Sequence, residues 1–346
     1  MSSALCILLC TLPSLSLALS SPRNHPPSPF SRRSGRNVPP QGFYDPRDNG
    51  GAWLTQVVGT IPAGLHEPIN AVISGSSDSS VLKDQQVDGG LRNYFTSFGF
   101  AGECLGQHSG NDQGADLGDG NGAKNETAVI RWDYGDPTLG TCQETIEGGN
   151  HFRYWIQDGN KADSGAIFLA VSYELPAKLQ HDIIFQGYNL GRDWLVGNAT
   201  AQSQIVPTPT LQNGSTFSGQ TSANGYVYQT DVTYMSGFLS NGSDGINHFA
   251  SVGANGTNAI DGLIAILSVT TLTKPSGASS YVLPQLWFVL GLISNFKVVN
   301  TTNASSHTWM AFGSIGALHC RHSAGRSQRI RALSTIESAQ DHLEGH

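Results

Sequence analysis

The strongest strand signals of the chain lie together in the stretch 148–198, and they constrain the fold more than any other feature. In residues 151–157 polar or charged side chains alternate with apolar ones, which is typical of a strand with one face in a core. Residues 166–173 are almost continuously apolar, as expected for a central strand that is covered on both faces. Residues 181–185 form a third, shorter strand candidate.

A short helix is predicted at the end of this stretch. Asn189 is a suitable N-cap, residues 190–196 give about two helical turns, and Gly197 supplies a stop. Three strands and a helix within so short a span indicate the centre of one sheet.

Further strand-like runs flank this centre on both sides. They cover residues 51–60, 68–74, 127–134, 203–206, 226–235 and 260–273. Residues 77–98 indicate a helical hairpin or a kinked helix, interrupted at Gly89–Gly90. The pattern predicts one α+β domain over about 42–274, with a mixed, mainly antiparallel sheet and a few short helices against it.

The two ends of the chain differ from this domain in composition. Met1–Ser20 is mostly apolar and ends in small residues, which predicts a secretory signal peptide. Residues 21–41 are rich in Pro and Arg, so we expect a disordered linker, in which Arg32–Arg33 is either a processing site or an ordinary basic pair. Residues 275–346 contain an apolar run too short to span a bilayer, and we expect a poorly packed tail.

Composition also indicates an extracellular protein. Charged residues make up only 13% of the chain and glycine is abundant at 41 residues, which is typical of a turn-rich protein with a neutral surface. The formal charge of −7 argues against nucleic acid as a partner. Sequons for N-linked glycans occur at Asn125, Asn198, Asn213, Asn241, Asn255, Asn300 and Asn303. We therefore expect secretion, glycosylation and no stable membrane span.

Three cysteines remain once the predicted signal peptide is removed: Cys104, Cys142 and Cys320. In an oxidising compartment Cys104 and Cys142 are the natural pair. Closing a loop of that length stabilises the fold by about 4 kcal/mol on the chain-entropy estimate. Cys320 is left over and falls in the predicted tail.

One group of ionisable side chains in the central stretch is a candidate site. Its members are His151, Arg153, His181, Asp182, Arg192 and Asp193. Two histidines and a carboxylate can ligate a metal ion, or a histidine can act as a general base that an aspartate orients. His151, His181 and Asp182 are the candidates for such a catalytic role.

The alternative for the same group is a structural polar network, which is the interpretation that we favour. Buried polar groups need partners, and pairs between Arg and Asp or between His and Asp supply them. Arg153, Arg192 and Asp193 are its expected members. We predict a forked ion pair between Arg153 on its strand and Asp193 on the following helix.

Residues 101–125 form a long glycine-rich loop that carries two weak motifs. A calcium loop is suggested by Asp112, Asp116, Asp119 and Asn121, but their spacing does not match that pattern and no Glu stands at the closing position. The glycines at 118–122 do not lie between a strand and a helix, as a nucleotide-binding loop requires. We expect a surface loop attached through its cysteine, and we predict no cofactor.

The central motifs carry a family resemblance. HFRYW at 151–155, the apolar strand 166–174, HDII at 181–184 and GYNLGRDWLVGN at 187–198 together resemble the carboxy-terminal domain of the LssY family. Upstream, INAVISGS followed by a helix that ends in SFGF is similar to that family's opening strand and helix, with Phe100 in place of a Trp. The chain also looks like secreted fungal proteins without an assigned activity.

The resemblance covers about residues 68–198. It implies a fold unit and a recurrent polar cluster, and it implies no reaction because the family's own function is unestablished. From the sequence we expect a secreted, non-catalytic protein that binds a carbohydrate or another extracellular or cell-surface ligand. The alternative is an extracellular hydrolase, metal-assisted or not, that uses His151, His181 and Asp182.

Overall fold

An eight-stranded mixed sheet organises the protein in the computed structural model, which describes residues 36–108, 110–202 and 210–276. The strands, in chain order, are β1 (Ala71–Ile73), β2 (Phe100–Gly102), β3 (Gly114–Asp116), β4 (Ala123–Asn125), β5 (Ala128–Trp132), β6 (Gly149–Ile156), β7 (Ile167–Glu174), β8 (Thr216–Ala223), β9 (Tyr226–Met235) and β10 (Ile264–Thr273). The spatial order of the large sheet is β2-β5-β6-β7-β1-β10-β9-β8, and β3 pairs with β4 separately. Within the large sheet only β1 and β10 run parallel.

The helices are few and short. They are α1 (Leu91–Thr96), α2 (Gly140–Glu147), α3 (Gly187–Ala199) and α4 (Phe249–Val252). The protein is therefore mostly sheet, and the predicted mixed, mainly antiparallel sheet with a few short helices is confirmed in that coarser form. Among the described residues, no helix is both long and apolar enough to cross a membrane.

Both faces of the central strands are buried, as the apolar runs predict. Along β7, Ile167, Leu169 and Val171 belong to one core cluster, and the intervening Phe168 and Ala170 belong to a second cluster on the opposite face. The helices α1 and α3 contribute to the first cluster. Loops before β1 and around β3 and α4 contribute to the second cluster, together with Tyr188 at the start of α3, so loops cover most of that face.

The third predicted strand, 181–185, is wrong. A 3-10 turn, Ala177–Leu179, follows β7, and of residues 181–185 only Ile183 makes an isolated bridge, to Glu174. The helix starts earlier and ends later than predicted. Asn189 does not cap it, because its Oδ1 accepts the backbone N–H of Asp261 at 3.2 Å.

The glycines of α3 have a packing role. A Cβ at Gly191 would lie 2.7 Å from the backbone of Ser172, so only glycine lets α3 approach β7 this closely. This close approach offsets the low helix propensity of glycine. Gly197, which was predicted to stop the helix, lies inside it.

Two further predictions failed and one strand was missed, each for a local reason. Residues 77–90 form turns and not a helix, because Asp78 bonds to β10 through its backbone N–H and its carboxylate. In 51–60 only Leu54 and Gln56 make isolated bridges. Strand β8 was missed because its Thr, Ser, Gly and Gln side chains carry no apolar signal. Residues 203–206 and the predicted tail from 277 onward, including Cys320, lie outside the described residues.

Candidate functional site

The structure separates the six predicted polar residues into distinct groups. The predicted pair between Arg153 and Asp193 does not form. Arg153 lies on the same face of β6 as Trp155 and pairs with the buried Glu126, which precedes β5. Asp193 lies on α3, which packs on the opposite face of the sheet. The two side chains are therefore separated by the sheet itself.

Arg192 and Asp193 belong to a separate buried network. Arg192 Nε donates to Asp193 Oδ1 at 2.8 Å, and its two terminal nitrogens donate to the two carboxylate oxygens of Asp261, each at 2.8 Å. Tyr234 donates to Asp193 Oδ1 at 2.7 Å. A forked arginine between two carboxylates is a charge-assisted structural pairing, and it ties α3 to β9 and to the loop before β10.

Asp182 is not part of a group with His151 and His181. Its Oδ1 lies 2.6 Å from His248 Nδ1 and accepts from Ser251 Oγ at 3.0 Å. His151 and His181 instead approach the two oxygens of one other carboxylate, Glu174. The structure thus brings the two predicted histidines together through a residue that the sequence did not single out.

The environment of His151 is a buried centre of charged groups on one face of the sheet. Arg131, His151 and Ser172 are direct neighbours across β5, β6 and β7, so their side chains project from the same face. Helix α2 places Glu144 over this row, and Glu174 at the end of β7 closes it. We call Glu144, His151 and Glu174, together with Arg131, the His151 centre.

Two contacts in the His151 centre are longer than ordinary hydrogen bonds. Glu144 Oε1 lies 3.8 Å from His151 Nδ1, and Glu174 Oε1 lies 3.5 Å from His151 Nε2. Two others are hydrogen bonds. Ser172 Oγ lies 3.2 Å from the same Nε2, and Arg131 donates from Nη1 to Glu144 Oε2 at 2.8 Å.

Two facing atoms of the centre have no hydrogen-bond partner of ordinary geometry, although both are buried. They are Glu144 Oε1 and His151 Nδ1. The Glu144 side chain is fully buried and that of His151 is nearly so. Buried polar atoms are satisfied in the great majority of cases, so a facing pair that is not satisfied requires an explanation, such as an ion.

Burial and mutual repulsion shift the protonation of this centre. Burial, followed by the positive charge of Arg131, lowers the pKa of His151 well below its ordinary value. Burial, with the negative charge of Glu144, raises the pKa of Glu174 to about 8. Burial also raises the pKa of Glu144, against the opposing effect of Arg131. At neutral pH His151 is therefore a neutral lone-pair donor, beside two carboxyl groups that cannot both ionise at low cost.

The His151 centre can hold a metal ion. One ligand atom from each of Glu144, His151 and Glu174 can be chosen so that all lie within 4.8 Å of one another. The centre is not sealed, because the Glu174 side chain is 18% exposed and His181, at 3.5 Å from its other oxygen, is 38% exposed. A solvent route therefore reaches the Glu174 side of the centre.

Local features hold Glu144 in place. The predicted disulfide between Cys104 and Cys142 is confirmed, and it fastens α2 two residues before Glu144. A Cβ at Gly149 would come within 3.0 Å of Glu144 Cγ, so glycine at this position makes room for the carboxylate. The sequence did not indicate Glu144, because residues 140–147 show no apolar helical period.

The acidic residues of the glycine-rich loop are already engaged. Asp116 accepts the backbone N–H of Gly118 at 3.0 Å, and Asp119 accepts that of Asn121 at 2.9 Å. Asp112 accepts the amide of Asn125 at 2.6 Å. These are turn and side-chain contacts, so they support a surface loop and not a calcium site.

Comparison with family models, with curated proteins and with solved structures finds no match for this chain. The resemblance to the carboxy-terminal domain of the LssY family therefore stays a prediction, and function must be argued from the site.

Proposed function

We propose that this is a secreted, glycosylated extracellular protein that binds one divalent transition-metal ion through Glu144, His151 and Glu174. The observation that carries the proposal is the facing pair of buried atoms, Glu144 Oε1 and His151 Nδ1, which stand 3.8 Å apart without hydrogen-bond partners. The proposal replaces the expectation of no cofactor.

A purely structural pair does not account for this geometry as well. A hydrogen bond between an imidazole and a carboxylate brings the two heavy atoms to about 2.7–2.9 Å. At 3.8 Å the two atoms are too far apart to bond each other, and a buried polar group that lacks a partner costs about 1–3 kcal/mol. An ion between them supplies the missing partner and also offsets the repulsion between Glu144 and Glu174.

The donor set favours a particular class of ion. One neutral imidazole and two carboxylates suit Zn²⁺ and neighbouring first-row ions, whereas Ca²⁺ and Mg²⁺ take oxygen ligands. Arg131 bonds Glu144 Oε2 and leaves Oε1 for the ion. Such a contact orients a metal ligand in the way that outer partners do in known metal sites.

Secretion and glycosylation rest on the signal-like Met1–Ser20 and on the sequons. Four of the sequon asparagines in the described residues are exposed, namely Asn125, Asn213, Asn241 and Asn255, while Asn198 is half-buried. Exposure is what an attached glycan requires. Asn300 and Asn303 lie outside the described residues.

A metal-assisted hydrolase is the second candidate, and the observation that supports it is the solvent route beside Glu174. Three protein ligands with an open position are typical of catalytic zinc sites, where the ion supplies an activated water. His181 stands at this opening, 3.5 Å from Glu174, where it can exchange a proton with solvent. Asp182 has no part in this arrangement because it is engaged by His248.

The test is a calorimetric titration of Zn²⁺ into protein stripped with a chelator. We expect one site in the parent, and at least 10-fold weaker binding in Glu144→Gln and in His151→Gln. His108→Gln is the control for the competing candidate, because His108, Asp112 and Glu126 form the other group among the described residues whose ligand atoms lie close enough to hold an ion. Absence of binding in the parent, or loss of binding in the control alone, would overturn the proposal. A hydrolase substrate screen on the loaded parent then separates the two candidates.

A further inference from the structure

His181 stands at the solvent side of the His151 centre with its imidazole unengaged. Neither its ring nor its backbone makes a hydrogen bond within the described residues. Its Nδ1 lies 3.5 Å from Glu174 Oε2, whereas a hydrogen bond between these groups is about 2.7–2.9 Å long. His181 is also outside the set of Glu144, His151 and Glu174, whose ligand atoms lie within 4.8 Å of one another. It is therefore a free imidazole beside a candidate metal ligand.

The distance between His181 and Glu174 is one that two neighbouring ligands of an ion adopt. In a tetrahedral zinc site with bonds of about 2.0–2.2 Å, adjacent ligand atoms stand about 3.3–3.6 Å apart. The contact between His181 Nδ1 and Glu174 Oε2 has this length, and so does the contact between His151 Nε2 and Glu174 Oε1. The Glu174 carboxylate is thus at ligand spacing from both imidazoles, one on each oxygen.

The backbone holds His181 in a conformation that has an alternative. Residues 176–181 form a turn between β7 and α3, and both Gln180 and His181 have left-handed φ angles, of 67° and 53°. Residues with a side chain adopt this region rarely, and such strain is concentrated at ligand clamps and switch regions. A change of φ at these two residues would re-aim the imidazole.

The turn is fastened at its base, so a change within it stays local. The backbone N–H of Leu175 donates to the carbonyl of Asp182 at 2.8 Å. The side chain of Asp182 is held in addition by His248 and Ser251. Above this base, residues 177–180 are exposed. The turn can therefore rearrange while β7 and α3 keep their places.

We propose that His181 is the fourth ligand of the ion that the His151 centre binds, an inference that rests on the proposed metal site. The arrangement in the structure is the open one. When the ion binds, the imidazole of His181 moves inward past Glu174 and occupies the position that solvent reaches. Two carboxylates and two imidazoles then complete a tetrahedral set, and the two carboxylates balance the charge of the ion. Sites closed by four protein ligands are typical of structural zinc, so this inference favours the binding role over the metal-assisted hydrolase.

The first test is a calorimetric titration of Zn²⁺ into chelator-stripped His181→Ala. We expect binding about 10- to 100-fold weaker than in the parent, because a lost ligand costs at least as much as a lost group that orients one. Lys178→Ala, an exposed change in the same turn, is the control and should bind as the parent does. If the parent binds, Glu144→Gln does not, and His181→Ala binds like the parent, this inference alone is overturned. Absence of binding in the parent would overturn both proposals.

A second measurement separates a ligand from a residue that only supports Glu174. Co²⁺ bound in place of Zn²⁺ has a visible absorption spectrum that reports its ligands. Imidazole added to Co²⁺-loaded His181→Ala should fill the vacated position and restore the spectrum of the parent, and it should leave the spectrum of the parent itself unchanged. A parent spectrum that shifts with imidazole would show an open position and refute the inference. So would a His181→Ala spectrum that equals that of the parent before imidazole is added, or one that imidazole does not change.

Discussion

Replacing Glu174 by Gln should stabilise the metal-stripped protein at high pH. In the stripped fold, burial and the charge of Glu144 raise the pKa of Glu174 to about 8, from an ordinary value of 4.5. Between these two values the unfolded chain has released its proton while the folded chain still holds it. The contribution of this carboxyl group to the stability of the parent is therefore fully present below about pH 4.5 and is lost as the pH rises towards 8. Gln keeps the shape of the neutral carboxyl group and removes its titration.

The magnitude follows from the size of the shift. The difference between 8 and 4.5 is 3.5 pKa units, and at about 1.36 kcal/mol per unit this gives an upper bound of about 5 kcal/mol. Because the Glu174 side chain is 18% exposed, solvent screens part of this energy. We expect the free energy of unfolding of Glu174→Gln to exceed that of the parent by about 2–3 kcal/mol at pH 9.

The assay is urea unfolding of both proteins with a chelator present, at pH 5, 7 and 9. The variant's advantage should grow across this series. Glu147→Gln, which removes an exposed carboxylate at the end of α2, is the control, and at pH 9 it should stabilise the protein less than Glu174→Gln does. A pH-independent difference between Glu174→Gln and the parent would refute the proposed electrostatics. Added Zn²⁺ should reverse the order, because only the parent keeps all three ligands.

Three further predictions concern the fold and its processing. Arg153→Ala should lower the free energy of unfolding by about 3–5 kcal/mol, because it leaves the buried Glu126 without its partner, whereas the exposed Lys161→Ala should not; equal stability in urea would contradict this. Reduction of the Cys104–Cys142 bond should cost about 4 kcal/mol, and peptide mapping that finds both thiols free in the secreted protein would contradict the pairing. Enzymatic deglycosylation of protein from the medium should increase its mobility, with glycans on at least three sequons; unchanged mobility would count against secretion with glycosylation.

The sheet could be predicted from the sequence where burial leaves a pattern. The alternation in β6 and the apolar run in β7 both predicted strands with buried side chains, and both strands are present in the structure. Strand β8 shows neither pattern, because most of its side chains are polar. Helix α3 was misplaced because Gly191 and Asn189 serve contacts with β7 and with the loop before β10, which local sequence cannot show.

Only part of the candidate site could be predicted from the sequence, for a similar reason. His151 stood out because it lies on a strand with a clear pattern. Glu144, 7 residues before His151, lies on helix α2, which has no apolar period that would predict it. The disulfide between Cys104 and Cys142 fixes the position of that helix. The predicted partner of Arg153 was wrong because sequence proximity did not reveal which face of the sheet α3 covers.

The most direct test of the central claim is an anomalous difference map from a crystal grown with Zn²⁺ and measured at the zinc absorption edge. The account predicts a peak at about 2.0–2.2 Å from ligand atoms of Glu144, His151 and Glu174. Zinc peaks at surface histidines such as His108 with none at these three residues would contradict it.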